Sequence, residues 1–394
     1  MNRKLTIFTF LIVFILVIYS FMCVMAEEEE ESSFFEHKDS IVFTAPPTPT
    51  PTPIITYTTP SAETTVSPTG TMSIIITATG DLTIGTNYKA YRNLDNSLFG
   101  KELKRQGGDI NFYLRNIRKL LSEDDLTIVN FEGTLADQVV IPSSKRNNDY
   151  LFLAPTTYAQ TLPDNSIEAV TMENNHVMDF GEDGYSSTMS TLRSVGVVVS
   201  NSSTLGIYEV KGVKIGMLAY QTFNGGYDRI YETIQKDIDN ARTLGCDIVT
   251  VSYHWGDELD YHPNAKQQRL GKATIDAGAD LVIGHHSHRI NPIEEYNGKY
   301  IVYSLGNFSF AGNSKPTDML TFLFQIRFKY RRGEMYGTDF RIVPCRISSK
   351  TDYNDFAVTP LTETRYIDTV LTTLKKEGSY ISNPVTTYPL EWEK

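Results

Sequence analysis

CDIVTVSYHWGDELDYHPNAKQQRLGKATIDAGADLVIGHHSHRI, residues 246–290, is the stretch on which the fold turns. CDIVTVSYH (246–254) and ADLVIGHH (279–286) are apolar, rich in β-branched residues, and predict buried strands. Between them, 264–277 carries a helical period. Strand, helix and strand of these lengths make the unit that sets parallel neighbours in one sheet. The first strand ends on His254, and the second runs into His285, His286 and His288. Ligands of open α/β sheets bind beyond the carboxyl ends of the strands, so the chemistry is to be sought there.

The same texture extends outward. SIIITATG (73–80), LTIVNFEG (126–133), IEAVTME (167–173), VGVVVS (195–200) and GVKIGMLAY (212–220) predict further strands. Helices are predicted over 109–122, 182–194 and 231–245. After residue 290 the pattern turns to hairpins, one around Asn297-Gly298 and a longer one over 321–348. One domain is expected over 73–350. Residues 351–394, with a helical stretch at 364–376, are expected to be a peripheral C-terminal extension.

The first 72 residues read differently. Residues 5–26 hold 22 positions without a charge, and Arg3 and Lys4 precede them. As a helix they reach about 33 Å, enough to cross a bilayer core. Residues 1–26 therefore predict a membrane anchor or a cleaved signal peptide, with the remainder extracytoplasmic at the cell surface or secreted. Residues 27–72 open on five glutamates, and 18 of the 28 residues from Thr44 to Thr71 are Thr or Pro. Such a stretch predicts a disordered linker. The first 72 residues together hold three Lys/Arg against eight Asp/Glu, so −5 of the formal −11 sits there and −6 on the rest. That balance argues against a nucleic-acid-binding protein, which would show a basic face. Cys246 and Cys345 allow one disulfide by count; two small buried hydrophobes is the other reading.

Five predicted strand ends carry side chains able to hold a metal. Asp81 follows the first; Asn130 and Glu132 end the second; Asn174, Asn175, His176 and Asp179 follow the third. His254 ends the fourth, and His285, His286 and His288 the fifth. Imidazole with carboxylate suits Zn, Mn, Fe or Ni rather than an all-oxygen calcium site. The His286-x-His288 pair can aim both rings one way, and Glu132 can bridge two cations. His176 can protonate a leaving group. Asp179 either orients that ring or caps the helix starting near Glu182. Glu258 reads as an acid close to the site or as a solvated one, and Asn307 as a rim residue or a turn cap. Trp255 reads as packing.

TGDLTIG, NFEG, NNHVMDFGEDG, HWGDE, GHHSHRINPIE and YSLGNFSF, in this order, resemble the CapA family of capsule and poly-γ-glutamate synthesis proteins, over about residues 73–312. CapA domains in turn resemble the calcineurin-like metallophosphoesterase superfamily. The resemblance implies a four-layer α/β/β/α sandwich with two divalent ions, of Mn, Zn or Fe. It assigns Asp81 and His288 to the first metal, Glu132 to the bridge, and Asn175, His254 and His286 to the second metal. His176 takes the catalytic position with Asp179. Asn130, His285, Glu258 and Asn307 are further candidates. Two departures stand out: Thr83 occupies the place of a usual histidine ligand, and Glu132 that of a usual bridging aspartate.

The function expected is a metal-dependent, phosphoesterase-type hydrolase of capsule or poly-γ-glutamate biosynthesis. A non-catalytic accessory subunit that binds or exports the polymer is the first alternative, and a metal-dependent amide hydrolase the second. Expected partners are an anionic surface polymer or phosphorylated precursor, the membrane, and polymer-synthase membrane subunits. Arg289 and the metals would form the local cationic site for a carboxylate or phosphate terminus.

Overall fold

The computed structural model describes residues 54–58, 70–148 and 150–392. The apolar run 5–26 lies outside them; among the described residues no helix is long and apolar enough to cross a membrane. Two large sheets organise the domain. The first follows the spatial order β1 (Ile54–Thr58), β9 (Leu205–Val210), β10 (Val213–Gln221), β11 (Ile248–His254), β12 (Leu281–His285), β14 (Lys299–Val302), β13 (Ile293–Tyr296). In it β10, β11, β12 and β14 are parallel. The second follows β18 (Thr359–Pro360), β17 (Glu334–Arg346), β16 (Leu320–Arg331), β2 (Thr71–Thr83), β4 (Leu126–Phe131), β7 (Ala169–Thr171), β8 (Val198–Ser200), with β15 (Asn307–Phe310) also on β2. Here β2, β4, β7 and β8 are parallel. A small third sheet joins β3 (Thr86–Asn87), β6 (Phe152–Ala154) and β5 (Thr134–Leu135).

Apolar side chains of both large sheets face each other across one core, including Ile76, Ile128, Phe324, Ile215, Ile248 and Ile283. A second core lies outside the first sheet, under α3 (Gly226–Thr243) and α4 (Ala265–Asp276). A third lies outside the second sheet, under α1 (Leu98–Arg105) and α2 (Gly181–Ser194). The layers thus run helix, sheet, sheet, helix. Sequence chemistry explains the elements: α4 starts on a capping box between Asn264 and Gln267, and the β16–β17 pair fills the predicted long hairpin.

Several expectations differ from what is found. Residues 109–122 do not form one helix but a 3₁₀ turn, Ile110–Tyr113, and a single α-turn, Arg118–Leu121. Phe112, Tyr113, Leu114, Ile117 and Leu121 are all fully buried, an arc wider than the single apolar stripe of a surface helix. Within the expected linker, the proline-free window Ile54–Thr58 is a strand paired parallel with β9. Residues 351–394 supply Phe356 and Val358 to one core, and Val370, Leu374, Val385 and Tyr388 to another; Val370 and Leu374 come from α5 (Thr364–Glu377). Cys246 and Cys345 are free, buried thiols.

Candidate metal centre

Strand register brings the candidate residues into two rows. On the second sheet Asp81 pairs with Asn130 of β4 and with Asn307 of β15. On the first, His254 pairs with His285. The rows meet where the carboxyl ends of β2, β4, β11 and β12 converge, and the His286 amide approaches Asp81 Oδ2 at 3.4 Å.

Around Asp81 the contacts are short. Asn130 donates its side-chain amide to Oδ1 at 2.8 Å, His285 Nδ1 lies 3.2 Å from Oδ1, and His288 Nδ1 lies 3.2 Å from Oδ2. Asn307 Oδ1 holds His288 Nδ1 at 3.0 Å. Asp81, Glu132 and His288 each bring a donor atom within 4.8 Å of the others. A second group forms around His254 Nε2, which lies 2.9 Å from Asn175 Oδ1, 3.0 Å from His286 Nδ1 and 3.9 Å from Glu132 Oε1. Glu132 therefore stands between the groups. Both of its oxygens are buried and have no hydrogen-bond partner among the described residues.

The electrostatics differ between the groups. Burial, then the charge of Asp81, pushes Glu132 up to about 7. Burial would also raise Asp81, but contacts from His285 and His288 hold it well below the usual carboxylate range. Burial would lower His288, yet Asp81 and then Glu132 bring it up to about 9. In the second group, burial and then the neighbouring histidine depress both rings: His286 falls to about 4, and His254 lies well below the ordinary value. Neutral imidazoles are the form that binds metal.

Carboxylates, imidazoles and an amide oxygen suit Mn, Zn or Fe. Two carboxylates buried side by side, one with unpartnered oxygens, are costly without a cation. The residues fit a divalent metal site. Backbone strain agrees with that reading, since His286 and His288 take φ of 95° and 54°, a region costly for residues with a Cβ and common at functional sites.

His176 flanks this centre. Its Nδ1 lies 2.9 Å from Asp179 Oδ2, and its Nε2 lies 3.7 Å from Glu132 Oε1. Burial would lower its pKa, but the Asp179 hydrogen bond, then the charges of Glu132 and Asp179, raise it. Asp179 is fully buried, accepts from the Phe152 amide at 2.9 Å, and does not cap α2, whose N-cap is Phe180 without a side-chain cap bond. Of its two sequence readings, the geometry matches the one that orients the ring.

Other candidates fall elsewhere. Glu258 is exposed on the loop after β11 and acts on His286 and His288 through charge. Arg289 is buried and donates to the His288 carbonyl and to the Thr317 hydroxyl. Trp255 is fully buried, with its indole N–H donated to the Tyr303 carbonyl. Three contributors carry no sequence signal of their own. Lys145 Nζ sits 3.5 Å from Asp179 and 3.3 Å from the Asn175 carbonyl, on a short 3₁₀ turn without period. Phe152 lies 4.5 Å from the His176 ring and Phe223 4.7 Å from His286, centroid to centroid. Asn174 braces the second-sheet row, donating to Asn130 and to the Phe131 carbonyl and accepting from the His176 amide.

Residues 75–311 match the family described as bacterial capsule synthesis protein PGA_cap. The chain belongs to this family. Its candidate centre, from Asp81 to Asn307, lies within the matched segment. The PGA biosynthesis protein CapA of Bacillus subtilis is 32% identical over 229 residues, 53% of this chain and 59% of that protein. The capsule biosynthesis protein CapA of Bacillus anthracis is 26% identical over 258 residues, 60% of each. A probable polyglutamine synthesis accessory protein of Mycobacterium tuberculosis is 27% identical over 219 residues, 46% of this chain and 55% of that one. This PGA_cap-family chain spans about three-fifths of the length of these relatives. Among solved structures, sulfate thiohydrolase SoxB of Thermus thermophilus superposes with a TM-score of 0.37 at 14% identity, over 78% of this chain and 60% of that one. A 5'-nucleotidase of Candida albicans gives 0.38 at 11%, over 77% and 57%.

Proposed function

We propose that this chain is an extracytoplasmic, metal-dependent hydrolase of the phosphoesterase type, working in capsule or poly-γ-glutamate biosynthesis on a metallophosphoesterase-type sandwich. One observation carries the reading. The unpartnered Glu132 carboxylate lies between Asp81/His288 and Asn175/His254/His286, with the His176–Asp179 pair beside it. Asp81, Glu132 and His288 would hold one divalent ion, and Glu132, Asn175, His254 and His286 a second. Such ions supply Lewis-acid polarisation of a phosphoryl oxygen and a water acidified towards neutrality. The chain's own residues do the rest. Asp179 fixes the His176 ring through Nδ1, which leaves Nε2 on the side of Glu132 to hold a proton for a leaving oxygen. The Asp179 hydrogen bond and the charges of Glu132 and Asp179 raise the pKa of His176, which favours that proton.

The family and the names of the Bacillus relatives support the assignment to an anionic surface polymer or its phosphorylated precursor. The apolar run 5–26 and the Thr/Pro stretch after it support a tether outside the cytoplasm, close to polymer-synthase membrane subunits. The test is metal content by mass spectrometry together with turnover of a phosphodiester by full-length protein. Stoichiometric Mn or Zn, lost in His254→Ala, is expected; metal-free wild type without turnover sinks the reading. The accessory role is favoured by one observation, Thr83 in place of a ligand, its hydroxyl buried and unpartnered among the described residues. Polymer production that survives Asn175→Ala and His176→Ala in cells selects it. Cleavage of a γ-glutamyl amide in preference to a phosphodiester selects amide hydrolysis.

A further inference from the structure

Two adjacent histidines end β12, and they part ways. His286 turns to His254 and Asn175, while His285 turns to Asp81. His285 is 2% exposed, and its Nδ1 is 3.2 Å from Asp81 Oδ1. At that distance a hydrogen bond is expected, yet the approach is misaligned and Nδ1 has no hydrogen-bond partner among the described residues. Two donors held by one ion at about 2.1 Å, with about 90–109° between them, stand about 3.0–3.4 Å apart. Their lone pairs aim at the shared ion and not at each other. A close, misaligned nitrogen–carboxylate contact is what such a pair shows.

The strand that carries Asp81 bears on the same point. Thr83, two residues on along β2, shares its face, is fully buried, and offers a hydroxyl instead of a nitrogen. Asp81, Glu132 and His288 give three protein ligands, so at least one of the four or more positions that Zn, Mn and Fe take is left to water, substrate or a further protein donor. Resting on the metal-site reading above, we infer that His285 Nδ1 is a further protein donor of the Asp81–Glu132–His288 site. The two adjacent histidines are then split between two ions, His285 to one and His286 to the other. The ligand class is a divalent transition ion that accepts imidazole, which disfavours Mg and Ca at this position.

The test titrates metal-stripped, full-length protein with Co(II), following calorimetric stoichiometry and the d–d absorption. Wild type is expected to take two ions. His285→Ala should keep one at unchanged affinity and weaken the other by more than about 100-fold, beyond the 10–100-fold typical of residues that only orient a ligand. Its visible spectrum should change as nitrogen leaves the shell. His286→Ala should weaken the opposite ion and leave the His285 site loaded. His285→Asn, which keeps a polar group in the buried position, guards against a folding defect; with a native circular dichroism spectrum it should show the same selective loss. Two ions with wild-type affinity and spectrum in both His285 variants overturn the inference and leave the metal-site reading standing. So does a weakened site with an unchanged spectrum. Wild type that binds no Co(II) overturns both.

Discussion

At the residue scale, the pairing of His176 with Asp179 decides what the flanking acid can do. Asp179 receives the Phe152 amide and the His176 ring on one oxygen and Lys145 near the other. The ring is therefore held in one orientation with its proton favoured. His176→Ala should lower kcat by about 10²–10⁴-fold, the range for one positioned proton donor. Asp179→Asn leaves the ring but removes the charge that raises its pKa. The alkaline limb of the pH–rate profile should then begin at lower pH, because an acid catalyst is lost once pH passes its pKa. A profile that stays in place while kcat falls would show Asp179 to be only a packing residue. The candidate ligands were legible from sequence because each ends an apolar strand and because their types converge. The supports were not. Lys145 enters on a short 3₁₀ turn, Phe152 on the three-residue strand β6 and Phe223 on a loop, and no period or spacing marks them.

At the element scale, the strand ends aim the ligands, and close backbone approach sets the aim. Gly284 precedes His285 on β12. A Cβ there would run into the Tyr303 carbonyl of the neighbouring segment and the Trp255 indole nitrogen. Gly284→Ala should thus weaken metal binding although it removes no ligand, and cost about 1–3 kcal/mol of stability through overpacking. Denaturant titration beside metal stoichiometry checks this; unchanged metal binding would free the ligands from strand register. The edge strand β1 gives a second test. Its pairing with β9 satisfies backbone groups that an open edge would leave to water. Replacing residues 54–58 by a Gly/Ser stretch should speed amide exchange at alternate positions in Leu205–Val210. Uniform protection in the replaced protein would show that β1 contributes nothing there. Sequence reading found the parallel strands and both hairpins from period and turn chemistry. It lost β1 because five strand-forming residues sit inside a proline-rich composition. It made a helix of 109–122 because spacing reports one buried face, and there the chain is buried on several sides.

At the scale of the whole molecule, two sheets pack face to face so that their carboxyl ends share one acidic centre, and under the proposed metal site stability depends on the metal. Glu132 rises from an ordinary 4.5 to about 7 in the folded metal-free chain. An acid whose folded pKa is raised stabilises least when ionised, so stability from this group falls as pH climbs from about 4.5 to 7, by roughly 3 kcal/mol. His254 and His286, both depressed, act in the opposite sense, losing stability as pH drops through the ordinary histidine range. Comparing Glu132→Gln with wild type cancels those two. Without metal, Glu132→Gln should be the more stable protein at pH 7, and its advantage should shrink towards pH 4.5. Saturating Mn or Zn should reverse the order. An ion at 100 times its dissociation constant adds about 2.7 kcal/mol to wild type, and nothing comparable to a variant without the bridging carboxylate. Denaturation midpoints of the full chain with and without chelator, at two pH values, read both signs at once. Equal midpoints for the two proteins under all four conditions would remove Glu132 from between the ions. A reversal on adding metal would show that the destabilising acid at the meeting of the two sheets is retained for the cations it holds.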